Sequence, residues 1–136
     1  MASILKVDEM QGVTSAGDIT ITSEGGSATQ SLQQGVAKSW AHVSQSSTQT
    51  LDDSLNVASI TDGGTGETSC TFTNTMGNSN WCASVSPGSS NADNRHIIFN
   101  ANNTTRLKME VYQVRSASLS AVDADDICGV VHGDLA

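Results

Sequence analysis

The run DSLNVASITDGGTGETSCTFTN, residues 53–74, constrains the fold of this chain more than any other segment. Leu55 and Val57 alternate with small residues before Asp62-Gly63-Gly64, and Cys70 and Phe72 do so after it. Alternation at period two marks a half-buried strand, and glycine takes the positive φ that a tight turn requires. The spacing predicts a β-hairpin with its turn at DGGTG.

The same signals recur along the chain. RHIIFNANNTTRLKMEVYQVR reads as a second hairpin, with Ile97 and Phe99 before the ANNT turn and Leu107, Met109 and Val111 after it. GVAKSWAHVS carries Val36, Trp40 and Val43 around Lys38 and His42, and its β-prone residues predict a strand. NWCASVS alternates Trp81, Ala83 and Val85, and ICGVVHGDLA closes with Ile127, Val130 and Val131. SSTQTLDD, NTMGNSN and PGSSNADN read as polar connections, and SASLSAVDADD as weakly helical or irregular. About seven strands separated by turn signals predict an all-β fold over residues 35–136, an antiparallel β-sandwich that is jelly-roll-like.

Residues 1–34 differ from this body. SILKVDEMQG and GDITITS are short β-prone runs holding Ile4, Leu5, Val7, Ile19 and Ile21, and Gly25-Gly26 forms a break. Two strands with so few aliphatics do not fold alone. The expectation is an extended N-terminal arm that anchors on another surface through those five residues.

Composition narrows the function classes. The 27 Leu, Ile, Val and Phe residues stand against 55 Ser, Thr, Asn and Gly. That fraction lies close to the roughly 20% below which highly charged chains tend to be disordered. A core this thin predicts that neighbouring subunits contribute buried area. The net charge of −8, with Lys6, Lys38, Arg95, Arg106, Lys108 and Arg115 scattered, argues against a nucleic-acid partner. MASILKVDEM lacks the roughly 7–15-residue apolar stretch of an export signal. No run approaches the ~20 residues of a membrane span. The expectation is a soluble protein made in a cytoplasm, without membrane insertion.

Motifs of catalysis are missing from the sequence: no G-x-S-x-G, no H-E-x-x-H, no P-loop and no dinucleotide glycine fingerprint. His42, His96 and His132 are widely separated and read as surface or interface residues. The DADD run at Asp123–Asp126 lacks the EF-hand spacing and reads as a solvated loop. Cys70, Cys82 and Cys128 have no C-x-x-C spacing and read as small buried hydrophobes, with a Cys70–Cys82 bridge left open. Neither an enzyme, a metal nor a cofactor is expected. The candidate contact surface is the set of Asn-rich loops and one ring: Asn78, Asn80, Trp81, Asn91, Asn94, Asn102 and Asn103. Amides and indoles there would suit a glycan or protein partner.

SLQQGVAKSW, the stretch DSLNVASITDGGTGETSCTFTNTMGNSNWCASV and the terminal VVHGDLA resemble a β-rich module of tailed-bacteriophage virion appendage proteins, of the tail-fibre and head-fibre type. The opening MASILKVDEMQG is similar to the beginnings of such proteins. The resemblance covers about residues 31–136 and carries no catalytic residues. It implies a virion structural protein assembled in the host cytoplasm and displayed on the particle surface. A homotrimeric short fibre or spike for host attachment is the first expectation, and a capsid decoration protein the alternative. The arm would then dock on other tail or capsid proteins by strand pairing, and host-surface glycan or protein would be the outer partner.

Overall fold

The computed structural model describes residues 4–15, 17–88, 94–101, 103–115 and 118–136, the side chain of Arg115 excepted. The chain divides into two compact units, Met1–Val36 and Ala37–Ala136. The body therefore begins two residues later than expected.

In the first unit, β1 (Thr20–Thr22) pairs antiparallel with β2 (Thr29–Ser31), and a short helical turn, α1 (Leu32–Gly35), follows. Ser31 caps that turn by accepting a hydrogen bond from the Gln34 amide. The Gly25-Gly26 break is the hairpin turn, with Gly26 at φ 73°. Ile19 precedes β1 and receives the Leu32 amide on its carbonyl. Ile4, Leu5 and Val7 lie outside any strand and are exposed, as is Ile21 within β1. The strand expected in SILKVDEMQG does not form between residues 4 and 12. Among the described residues no strand pairs with it, and β propensity alone does not hold an isolated strand.

The second unit is all-β, with two antiparallel sheets in a sandwich-like arrangement. One sheet contains β3 (Ser39–Ser44), β4 (Thr50–Leu55), β7 (Cys82–Gly88) and β11 (Asp126–His132), in the order β4-β3-β11-β7. The other contains β5 (Val57–Gly64), β6 (Glu67–Phe72), β8 (Arg95–Asn100), β9 (Arg106–Arg115) and β10 (Ser118–Ala121). Strand β9 is the spine of this second sheet. Strand β8 runs along one edge of it, while β6 and β10 follow each other along the opposite edge. Both expected hairpins are present, as β5–β6 and β8–β9.

Nine strands stand among the described residues of this unit, against about seven expected. SSTQTLDD contributes β4 and SASLSAVDADD contributes β10, although Ser and Asp are poor strand formers. Pairing with β3 and with β9 supplies the backbone hydrogen bonds that outweigh the local preference. Pro87 and Gly88 of the expected PGSSNADN loop lie within β7, an edge strand where proline's missing N–H is tolerated. Leu55 ends β4 rather than opening the central hairpin, because Asn56 turns the chain at φ 57°.

The core lies between the sheets. Ala41, Val43, Ile127 and Val131 come from the four-stranded sheet, and Cys70, Phe72, Leu107, Met109 and Val111 from the five-stranded one. Each large buried side chain contributes about 1.5–3 kcal/mol. Gly129 sits opposite Ala41 at the centre of the four-stranded sheet. A Cβ on Gly129 would stand 2.9 Å from Leu107 Cδ2 and 3.0 Å from Met109 Sδ. The two small residues leave the space that those longer side chains fill.

A buried polar network closes one end. Gln45 Nε2 donates to Thr68 Oγ1 at 3.0 Å, Thr68 Oγ1 donates to Gln49 Oε1 at 2.6 Å, and the Ala124 amide donates to Gln45 Oε1 at 2.9 Å. With both ends of its amide engaged, Gln45 avoids the desolvation cost of an unsatisfied interior group.

Candidate functional site

Strand β3 faces the core with Ser39, Ala41 and Val43, so its larger polar and aromatic side chains, Trp40 and His42, project from the opposite face. This inverts the usual assignment of bulk to the interior. The cause is the opposing sheet: Leu107 and Met109 reach inward so far that Ala41 and Gly129 must stay small. Bulk displaced from the interior of β3 appears on its outside.

Register assembles two cross-strand rows on this outer face. One runs Leu55, Trp40, Val130, Ser84 and the next Asp53, His42, Cys128, Ser86. Side chains paired in this way contact one another across the strands. Trp40 and His42 rise beside the short Ser84, Ser86 and Cys128, leaving a hollow of about 310 Å³ with mainly apolar walls. Leu55, at the end of the first row, is 46% exposed. Val130 therefore lies on the outer face, while Ile127 and Val131 enter the core.

The polar row carries the charge. A β-bulge between His42 and Val43 leaves Asp52 unmatched in the β3–β4 ladder, since His42 pairs with Asp53 and Val43 with Leu51. Bulges re-aim side chains, and here Asp52 Oδ2 comes 3.9 Å from His42 Nδ1 while Thr50 Oγ1 donates to Asp52 Oδ1 at 2.9 Å. On the other side of the ring, His42 Nε2 lies 3.3 Å from Asp126 Oδ1. Cys128 is the cross-strand neighbour of His42, and burial together with the Asp126 carboxylate pushes its thiol up from the ordinary value. A nucleophilic thiol needs the opposite shift, so the Cys128–His42 pair is not set for attack.

Of the residues expected to form the contact surface, Trp81 is buried, and Asn78 and Asn103 also brace their own turns. Trp81 is 4% exposed, so it belongs to the core and not to the surface. Its ring meets Phe72 edge-on at 6.0 Å and stacks on Phe99 at 6.2 Å, and its Nε1 donates to the Asn103 carbonyl at 2.9 Å. Aromatic pairs of this kind contribute about 0.5–1.5 kcal/mol each beyond area. Asn103 Oδ1 accepts from the Thr105 amide, and Asn78 Oδ1 accepts from the Asn80 amide, both at 2.7 Å. These are turns locked by their own asparagines. Asn94 adopts φ 60° and receives the Val114 amide on its carbonyl. Asn78, Asn80 and Asn94 are exposed. Asn91 and Asn102 lie outside the described residues.

Cys70 is buried, whereas Cys82 and Cys128 are exposed, so only the first fits the expected role of interior hydrophobe. The Cys70–Cys82 bridge does not form: both are free, on strands of different sheets, with Cys70 facing the core. His132 stands opposite Cys82 on the outer face of the four-stranded sheet, and His96 lies on β8 of the other sheet.

No protein-family model matches the chain, and no curated protein or solved structure is similar to it.

Proposed function

We propose that this chain is a structural protein of a tailed-phage virion, without enzymatic activity, whose β-sandwich assembles with copies of itself and is displayed on the particle. The observation that carries this reading is the apolar row Leu55–Trp40–Val130 on the outer face of the four-stranded sheet. Apolar surface of that kind, beside a hollow, marks an interaction face on a soluble protein. The resemblance of SLQQGVAKSW and the DGGTG hairpin to phage appendage modules supplies the biological setting. Exposed Ile4, Leu5, Val7 and Ile21 support the arm as the anchoring element, and strand addition at an open edge is the docking mode such a segment favours.

Host attachment as a short trimeric spike is the first role, and coating of the capsid is the alternative. Counting this chain against the major capsid protein in purified particles, by quantitative mass spectrometry, separates them. A low count places it on the tail and supports attachment. A count comparable to that of the shell protein places it on the capsid, and absence from the particle overturns the proposal.

A further inference from the structure

The donor atoms of His42, Asp52 and Asp126 lie within 4.8 Å of one another on the outer face of the four-stranded sheet. Three strands deliver them: β3 brings the imidazole, the bulge of β4 turns in the first carboxylate, and the start of β11 supplies the second. Their side chains are about two-fifths exposed, open to an ion from solution.

We propose that His42, Asp52 and Asp126 bind a divalent transition-metal ion of the zinc class. The donor set is mixed, one imidazole nitrogen with two carboxylate oxygens, and that mixture distinguishes it from a patch of surface acids. Hard ions such as calcium and magnesium take oxygen ligands alone, whereas imidazole and thiolate favour zinc and its neighbours.

The geometry fits. Tetrahedral bonds of about 2.0–2.1 Å place neighbouring ligand atoms about 3.3 Å apart, the separation found between His42 Nε2 and Asp126 Oδ1. Asp52 approaches from the Nδ1 side, with its other oxygen held by Thr50. A carboxylate in that position fixes the imidazole tautomer that leaves Nε2 free to ligate, when it does not itself close on the ion.

The test is titration of the full-length, reduced protein with Co(II) and with Zn(II), followed by absorbance and calorimetry, alongside H42A, D126N and C128S. The expected result is one ion per chain, a visible Co(II) spectrum of low symmetry, and affinity reduced about tenfold or more in H42A and in D126N. C128S, whose sulfur lies outside the convergent donor group, should bind as the wild type does. Circular dichroism of each variant checks that the fold survives, as expected for partly exposed positions. Absence of Co(II) and Zn(II) uptake by the wild-type protein overturns the proposal. So does uptake that H42A and D126N leave unchanged, or calcium binding equal to zinc binding, which would mark a diffuse acidic surface.

Discussion

Asn56 and Asn74 hold each other by reciprocal hydrogen bonds: Asn56 Nδ2 donates to the Asn74 carbonyl at 3.0 Å, and the Asn74 amide donates to Asn56 Oδ1 at 2.7 Å. Asn56 Nδ2 also reaches the Lys38 carbonyl at 3.0 Å. One side chain thus ties the approach to β3, the β4–β5 turn and the exit from β6. Its φ of 57° lies in the region that asparagine and glycine tolerate best. N56A removes these bonds and strains the turn, and should cost about 2–4 kcal/mol. N56G relieves the strain and should cost less. Urea unfolding of the three proteins measures both; equal stability of N56A and wild type would refute the role.

Gly66 is a second position where the backbone leaves no choice. Its φ is 75°, and a Cβ there would lie 2.5 Å from the Val111 carbonyl oxygen and 2.8 Å from that of Val122. The hairpin turn is wedged where β6 ends and β10 begins along β9, with the Gly66 amide donating to Asp123 Oδ1 at 2.7 Å. G66A should lower stability by about 2–4 kcal/mol. G25A, whose Cβ meets nothing within 4 Å, should stay within about 0.5 kcal/mol of wild type. Thermal melts of the pair distinguish a true constraint from a general loss of glycine freedom.

The thiols should fall into two reactivity classes. Burial pushes Cys70 up to about 12, and its side chain is enclosed by the core. Cys82 and Cys128 are exposed. A thiol reagent at neutral pH should label two cysteines in the folded protein and the third only after denaturation. Rapid labelling of all three under native conditions would contradict the packing around β6.

Acid should weaken the five-stranded sheet at one identifiable place. Lys108 Nζ lies 2.8 Å from Glu110 and 2.9 Å from Glu67, and Tyr112 donates to Glu110 at 2.7 Å. Lys108 and Tyr112 hold Glu110 below its ordinary value. A carboxylate lowered by folding contributes stability that is present above about pH 4.3 and is lost as pH falls through the folded value. E110Q should flatten the stability curve in that acidic window, lowering stability at neutral pH and converging on the wild type below the folded value. Denaturant midpoints taken across the range would show whether the slope changes.

Trp40 and Leu55 should control association. W40S and L55S remove outward-facing apolar surface without touching the core, so the fold should persist while any oligomer weakens. Light scattering across a concentration series reads the effect. Unchanged mass for both variants would separate this face from self-assembly.

The hairpins were legible because their information is local: alternation on both sides of DGGTG and ANNT specifies strand, turn and partner together. Strands β4 and β10 were not, since Ser, Thr and Asp dominate them and only β3 and β9 make them strands. The β-prone character of GVAKSWAHVS was visible, but which of its residues face inward depends on an opposing sheet whose Leu107 and Met109 lie more than sixty residues away. The cluster around His42 was hidden for two reasons. Its carboxylates come from strands that register alone brings together, and the Asp52 carboxylate is turned toward the ring by a bulge that composition does not announce. Trp81 was open to both a core and a contact reading, because an indole beside Asn-rich loops has the same sequence signature whether its N–H meets a ligand or the Asn103 carbonyl.

The pairing of β3 with β11 also sets an order of events. Within the body, β3 leaves the ribosome first and β11 last, so the middle of the four-stranded sheet stays open throughout synthesis of everything between them. The β5–β6 and β8–β9 hairpins close over short loops and can wait as preformed pieces, whereas the β3–β11 contact carries the full cost of long-range closure. Until Ile127 is in place, Val43 lacks its cross-strand neighbour on β11 and Trp40 sits on a half-built ladder. A nascent chain of this kind is sticky for as long as it is incomplete, and completion of a single seven-residue strand ends that exposure.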